Sequence, residues 1–287
     1  MSKNIIDTHT HFFDPTRSEG VPWPPADNEI LYRPTYPKDF LEVSSPHGVT
    51  GTVVVEASVW LEDNRWILDL AESNPVIVGF VGNVELFADG FSDRIEGFSS
   101  NPIFRGIRLR RDELRPEMRP KLIGALRELA SRRLSIDLLA QPDELATVAS
   151  IADAVPDLHI MLDHVAHVKI DGNKPDQRWI DGIIACGKRD GIYCKVSGLV
   201  EASVTRPAPV DRSFYRPTID ALVDSFGIDR LSYGSNWPVC RTAGDYSTVF
   251  AIPREYFLGL GETEADKVFR KNALDCYRCV ESRAKSR

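Results

Sequence analysis

Two histidines close the first β-rich run of the chain, in Ile6-Asp7-Thr8-His9-Thr10-His11. Residues two apart on a strand project to the same side. His9 and His11 can therefore address one point, as two ligands of a metal ion must. They can equally line a polar pocket as a hydrogen-bonded pair without an ion. Arg108 and Arg110, in Arg105-Gly106-Ile107-Arg108-Leu109-Arg110, are likewise two apart. Such a cationic wall can grip a carboxylate through two parallel bonds or polarise a carbonyl. Lys195 lies in a later run, Tyr193–Ser197, and could join it if it points inward rather than Cys194 or Val196. The alternative for Arg108 and Lys195 is a structural ion pair with an interior carboxylate. Glu56 ends the run Val53-Val54-Val55-Glu56, where it could bond a ligand hydroxyl or pair with Arg108. Trp237 could lay its ring on an apolar ligand face or pack beneath the site, and Trp60 and Trp23 offer the same choice. Asp163 reads as an orienting residue ahead of His164, and His167 as a loop residue near the mouth. His47 and His159 read as structural.

These residues must be brought together by the elements between them. Short apolar runs alternate with helix-period runs along the whole chain. The runs are Asn4–Asp7, Gly51–Ala57, Val76–Val84, Phe104–Leu109, Ser135–Leu139, His159–Asp163, Tyr193–Ser197 and Leu231–Gly234. Gly51–Ala57 is almost continuously apolar, as a strand covered on both faces should be. Helices are expected over Asp63–Ala71, Arg119–Arg132, Asp143–Val155 and Thr218–Phe226, the last stopped by Gly227. A final helix opening at Thr263, with Asp266 reaching back in an imperfect capping box, would turn Val268, Phe269, Ala273 and Cys276 to the barrel. Alternation of this kind calls for a parallel sheet with covering helices. The candidate residues then gather at the C-terminal ends of the strands, where barrel enzymes place their sites. An open doubly wound sheet is the rival, weakened because no glycine-rich phosphate loop follows the first run. The irregular stretch Phe12–Lys38, with six prolines, would lie over the mouth of such a barrel.

The 287 residues suit one α/β barrel domain, and a composition of 43% hydrophobic and 27% charged residues is that of a globular protein. A net charge of −7 disfavours nucleic acid and anionic membranes, which require a basic face. No apolar run is long enough to span a bilayer, and the start lacks an apolar leader, so the expected location is cytoplasmic. The five cysteines are scattered. Cys276 and Cys279 form a lone CxxC that reads as helix packing, because no second pair completes a zinc site.

Five segments carry a resemblance. Asp7–Pro15 (DTHTHFFDP), Leu162–His167 (LDHVAH), Cys194–Leu199 (CKVSGL), Tyr233–Cys240 (YGSNWPVC) and Phe269–Tyr277 (FRKNALDCY) are similar, in order and spacing, to motifs of the amidohydrolase-2 family. The nearest likeness is to its sugar-lactonase branch, fuconolactonase-like and rhamnonolactonase-like. The resemblance spans almost the whole chain and implies a (β/α)8 TIM barrel of one domain. It implies a hydrolase that opens a sugar-derived lactone to the sugar acid. By position it assigns His9 and His11 to the first-strand pair and His164 to the sixth-strand histidine. Asn236 stands where the family carries its strand-eight aspartate. An amide cannot act as a base near neutral pH. No histidine occurs in Ser135–Gln141 either, so two of the usual metal contacts are absent or weakened.

The expected site therefore comprises His164 as general base and Arg108 or Lys195 at the oxyanion. Asn236, His9 and His11 would position water or carbonyl. Glu56, Arg110, Trp237, Trp60 and Trp23 would bind the ligand, a small sugar lactone or sugar acid. His9, His11 and His164 could hold one divalent metal such as zinc, but lactones are activated esters and the reading favours metal-independent chemistry. The alternatives are a lactone isomerase working by intramolecular acyl transfer, a metal-dependent decarboxylase of the same family, and a barrel that binds sugar acids without turnover.

Overall fold

The computed structural model describes residues 4–281. Eight parallel strands stand in sequential order: β1 (Ile5–Thr10), β2 (Val49–Val55), β3 (Ile77–Gly82), β4 (Phe104–Leu109), β5 (Ser135–Leu138), β6 (Ile160–Leu162), β7 (Ile192–Val196) and β8 (Leu231–Tyr233). The Thr8 hydroxyl donates to the Tyr233 carbonyl at 2.6 Å, and the His11 amide to the Trp237 carbonyl at 2.8 Å. These bonds bring the last strand back to the first, so the sheet is a (β/α)8 barrel and the open-sheet rival is excluded. All eight expected strands form, with ends displaced by up to three residues.

The helices are α1 (Pro37–Ser44), α2 (Asp63–Ser73), α3 (Phe91–Ser99), α4 (Arg119–Ser131), α5 (Leu145–Ala154), α6 (Gln177–Gly187), α7 (Leu199–Ala202), α8 (Arg216–Phe226), α9 (Tyr246–Leu260), α10 (Glu262–Asp266) and α11 (Asn272–Tyr277). Leu122, Leu126 and Leu129 of α4 and Leu145, Val148 and Ile151 of α5 are fully buried, as their helical spacing requires. The strands are buried on both faces, which explains their apolar runs. The capping box expected at Thr263 does not form. Gly261 starts α10 with no side-chain cap, Asp266 ends it, and a π turn over Lys267–Lys271 leads into α11. Val268, Phe269, Ala273 and Cys276 are nonetheless all buried. Cys276 and Cys279 are free thiols, with Cys279 Sγ 3.7 Å from the Ala273 carbonyl.

The stretch after β1 is pinned at its base. Phe13 and Thr35 exchange backbone bonds at 3.1 and 2.8 Å, and the chain between them arches over the C-terminal ends of the strands. Its last residues, expected as loop, begin α1 at Pro37, because proline suits the first turn of a helix.

Candidate active site

β1 delivers His9 and His11, whose ring centroids are 4.9 Å apart. His9 lies 4.2 Å from the ring of His164, which follows β6. His164–His167 all adopt left-handed φ angles of 47–52°. This conformation costs a non-glycine residue about 1–2 kcal/mol, and such strain concentrates at functional sites. Gly198 makes room for it: a Cβ there would meet His164 Cβ at 2.8 Å. Gly234 does the same for His9, at 2.9 Å.

A cleft of about 410 Å³ opens at the barrel mouth, lined among others by His11, Trp23, Glu56, Arg108, His164 and Asn236. A second lobe of about 420 Å³ shares His164, His167 and Asn236 with it and adds Glu201 and Lys169. Trp23 on the arching loop stands 5.7 Å from the His11 ring. Arg108 Nη1 is 3.9 Å from Glu56 Oε1, and its Nη2 is 3.4 Å from Asp163 Oδ2. Burial raises the Glu56 carboxyl, with the Arg108 and Arg110 charges opposing.

A fully buried charge cluster lies under this floor. Lys195 Nζ is 2.5 Å from Asp137 Oδ2, 2.9 Å from Asp163 Oδ1 and 3.0 Å from His9 Nδ1. The Tyr277 hydroxyl of α11 donates to Asp137 at 2.8 Å. Burial alone would lower the lysine pKa, but the two carboxylates overcome it and hold the ammonium charged. Burial likewise works to raise Asp163, and Lys195 and His9 override it to keep Asp163 ionised. Burial depresses the imidazoles of His9, His11 and His164, His11 to about 4 and the other two well below their ordinary value, so they stand neutral.

Four expectations need correction. Lys195 points inward, but it is sealed beneath the cleft in an ion pair and does not reach a ligand. Arg110, just past the end of β4, is exposed and donates to Asn83 Oδ1 at 2.7 Å, outside the cleft lining. Trp237 is 3% exposed and packs on Phe12 and Phe40 rather than lining the cleft. Trp60 is half-buried on the loop after β2 and is not among the lining residues. His47 and His159 lie apart from the cleft: His47 Nε2 is 3.0 Å from Ser247 Oγ, and His159 Nδ1 is 3.0 Å from the Cys276 carbonyl.

Sequence reasoning understated one residue and missed three. Asp163 is a hub rather than a loop-orienting residue. Asp137 and Glu201 carried no motif. Asp7 sits in the quoted first motif, yet its task was unread. It accepts from the Ser235 amide at 2.8 Å and from the Tyr246 hydroxyl at 3.1 Å, tying the β8 loop that holds Asn236 to β1. Burial pushes its carboxyl up to about 6 against these bonds.

Three residues could hold a divalent cation, in competition with Lys195 and Arg108 for Asp163. Ligand atoms of His9, Asp163 and His164 lie within 4.8 Å of one another, and His9 Nε2 is buried without a partner. Asp163 thus joins two of the three histidines first expected. His11 lies outside this group, its Nδ1–H given to the Val55 carbonyl at 2.9 Å, which leaves Nε2 free. Among the described residues no helix is long and apolar enough to cross a membrane.

The chain is similar to known proteins over nearly its whole length. An L-fucono-1,5-lactonase of Burkholderia ambifaria is 31% identical over 280 residues, covering 95% of both chains. A Burkholderia multivorans amidohydrolase crystallised with HEPES superposes with a TM-score of 0.84 at 23% identity, covering 96% of this chain and 99% of its own. A second crystal structure from that organism, with bound zinc, gives a TM-score of 0.83 at 23% identity and the same coverage. The amidohydrolase family model matches residues 6–279, and the chain, a hydrolase on a (β/α)8 barrel, belongs to that family.

Proposed function

We propose that the mouth cleft hydrolyses a sugar-derived lactone to the open sugar acid. The observation that carries this reading is the meeting of a neutral His164, the Arg108 guanidinium and the Asn236 amide around one cleft. The 31% identity to an L-fucono-1,5-lactonase supplies the substrate class. Water adds to the ring carbonyl and its proton passes to the neutral imidazole of His164. Arg108 stabilises the oxyanion. The ring C–O bond then breaks, and the imidazolium returns the proton to the departing ring oxygen, leaving a hydroxyl and a carboxylic acid that ionises and releases its proton to solvent. Glu56 and Trp23 line the side where the sugar hydroxyls and an apolar ring face would lie. Lys195 acts from below, fixing Asp163 and His9. A divalent ion such as zinc on His9, Asp163 and His164 would supply Lewis-acid polarisation of the carbonyl, and His164 would then serve as its ligand in place of the base.

A pH-indicator assay over a panel of aldonolactones tests the proposal, with His164→Ala as the control. Acid release that falls about 10²–10⁴-fold in the variant is expected. No acceleration on any lactone, or an undiminished variant, would reject it. The amide at position 236 favours one second reading, a lactone isomerase in which a substrate hydroxyl replaces water. NMR of the product distinguishes the two, because isomerisation releases no net acid.

A further inference from the structure

Asn236 and Glu201 form a pair that spans two barrel loops. Glu201 sits on α7, just after β7, and Asn236 follows β8. Asn236 Nδ2 donates to Glu201 Oε1 at 2.8 Å. An ionised carboxylate only accepts hydrogen bonds, so this partner fixes which end of the amide faces it. A protonated carboxyl with its hydrogen on Oε2 leaves Oε1 in the same role. Among the described residues no protein group bonds to Asn236 Oδ1, and the residue lines both lobes of the cleft. The backbone resists reorientation as well. Asn236 is held at φ +59°, with its loop tied to β1 through Asp7.

Among the described residues Glu201 has no ion pair to explain it. Its Oε2 is shielded from solvent and has no hydrogen-bond partner among the described residues. Burial pushes the carboxyl up to about 7, against the Asn236 bond and the Arg206 charge. The other titratable groups around it are Tyr215, Tyr233 and Cys240, with His164 and His167 across the shared lobe. A carboxylate kept out of water at this cost is expected to have a task.

We infer that Glu201 is the positioning residue for Asn236, holding the amide so that Oδ1 faces the cleft as a fixed hydrogen-bond acceptor for the attacking water or a substrate hydroxyl. The inference rests on the cleft being the site of lactone opening. It accounts for a neutral side chain at position 236: the amide orients a donor without taking its proton, which goes to His164. It also narrows the substrate. The β8 side of the cleft must meet an O–H group and would repel a bare carboxylate, because an amide oxygen and a carboxylate are both acceptors.

The test reads the amide directly and needs no turnover. Protein labelled with ¹⁵N-asparagine gives side-chain amide signals, and that of Asn236 is identified by its loss in Asn236→Asp. Asn64 and Asn272 donate to buried carbonyls at 2.7 Å, so their signals report that each variant is folded. In the wild-type protein the Asn236 amide protons should be protected from solvent exchange. In Glu201→Leu that protection should fall, and kcat should drop by roughly 10–100-fold, the scale of a misplaced reacting group. Glu201→Gln, which can still accept through Oε1, should retain activity in proportion to the Asn236 protection that survives. Unchanged protection in Glu201→Leu overturns the inference. So does a Glu201→Gln enzyme that keeps wild-type Asn236 signals yet loses activity, since the carboxylate itself would then be needed. Should the amide behave as expected while no lactone is opened, the proposed reaction falls and the Glu201–Asn236 arrangement stands.

Discussion

Lys195 Nζ lies 2.9 Å from Asp163 Oδ1, and neither side chain has any exposure to solvent. The ammonium is shared with Asp137 on its other side, so one cation serves two buried carboxylates below the cleft. Removing one partner of such a cluster leaves charge buried without compensation. Lys195→Met should therefore destabilise the fold by about 3–5 kcal/mol. Urea unfolding of the variant measures this, and Lys195→Met/Asp137→Asn should recover part of the loss. A Lys195→Met protein as stable as the parent would show that the cluster is neutralised in another way.

Arg108 reaches from Asp163 to Glu56 with 16% of its side chain exposed, so its guanidinium borders both the buried cluster and the cleft. Arg108→Ala should lower kcat on the best lactone by about 10²–10³-fold, the usual effect of losing one oxyanion donor. Arg108→Lys should restore only part of this, since lysine brings the charge without the planar fork. Steady-state kinetics of the two variants side by side decide the matter; equal activity in all three proteins would place the oxyanion elsewhere.

Asp163 is the carboxylate that a cation would need, and Lys195 and Arg108 already face its two oxygens. An added divalent ion must compete with both for the same charge. Activity should thus survive exhaustive chelation to within about threefold, because a positive group already borders the carbonyl site. Elemental analysis before and after chelation, paired with the lactone assay, provides the check. Activity that vanishes with the metal and returns with zinc would refute this expectation.

At the opposite end of the barrel, His159 tests pH dependence apart from catalysis. Burial lowers its pKa, and Arg278 and Arg133 add to this against the bond to the Cys276 carbonyl. The unfolded chain then binds a proton near pH 6.5 that the folded chain refuses. The contribution of His159 to stability is present above that value and is lost as pH falls toward the lowered folded value. His159→Gln should flatten the stability curve between about pH 7 and pH 5. Thermal unfolding at a series of pH values would reveal an unaltered slope if His159 were not the source.

The barrel was legible in the chain because its signals are local. Apolar runs marked all eight strands, and leucines at helical spacing marked α4 and α5. The two-residue spacing of His9 and His11 sent both imidazoles toward one place, and the family-like motifs carried His164 and Asn236 with them. The amino-acid order also recorded the amide at position 236, where the family resemblance expects an acid. What it left open was orientation and partnership. A barrel strand is apolar on both faces, so alternation does not say whether Lys195 or its neighbours turn inward. Arg110 turned to Asn83 outside the cleft, and Trp237 went to the packing against Phe40. Asp137, Asp163 and Lys195 stand far apart in the chain, as do Glu201 and Asn236. Their pairing comes from β5, β6, β7 and β8 lying side by side, and only closure of the sheet decides which charges meet where water is excluded.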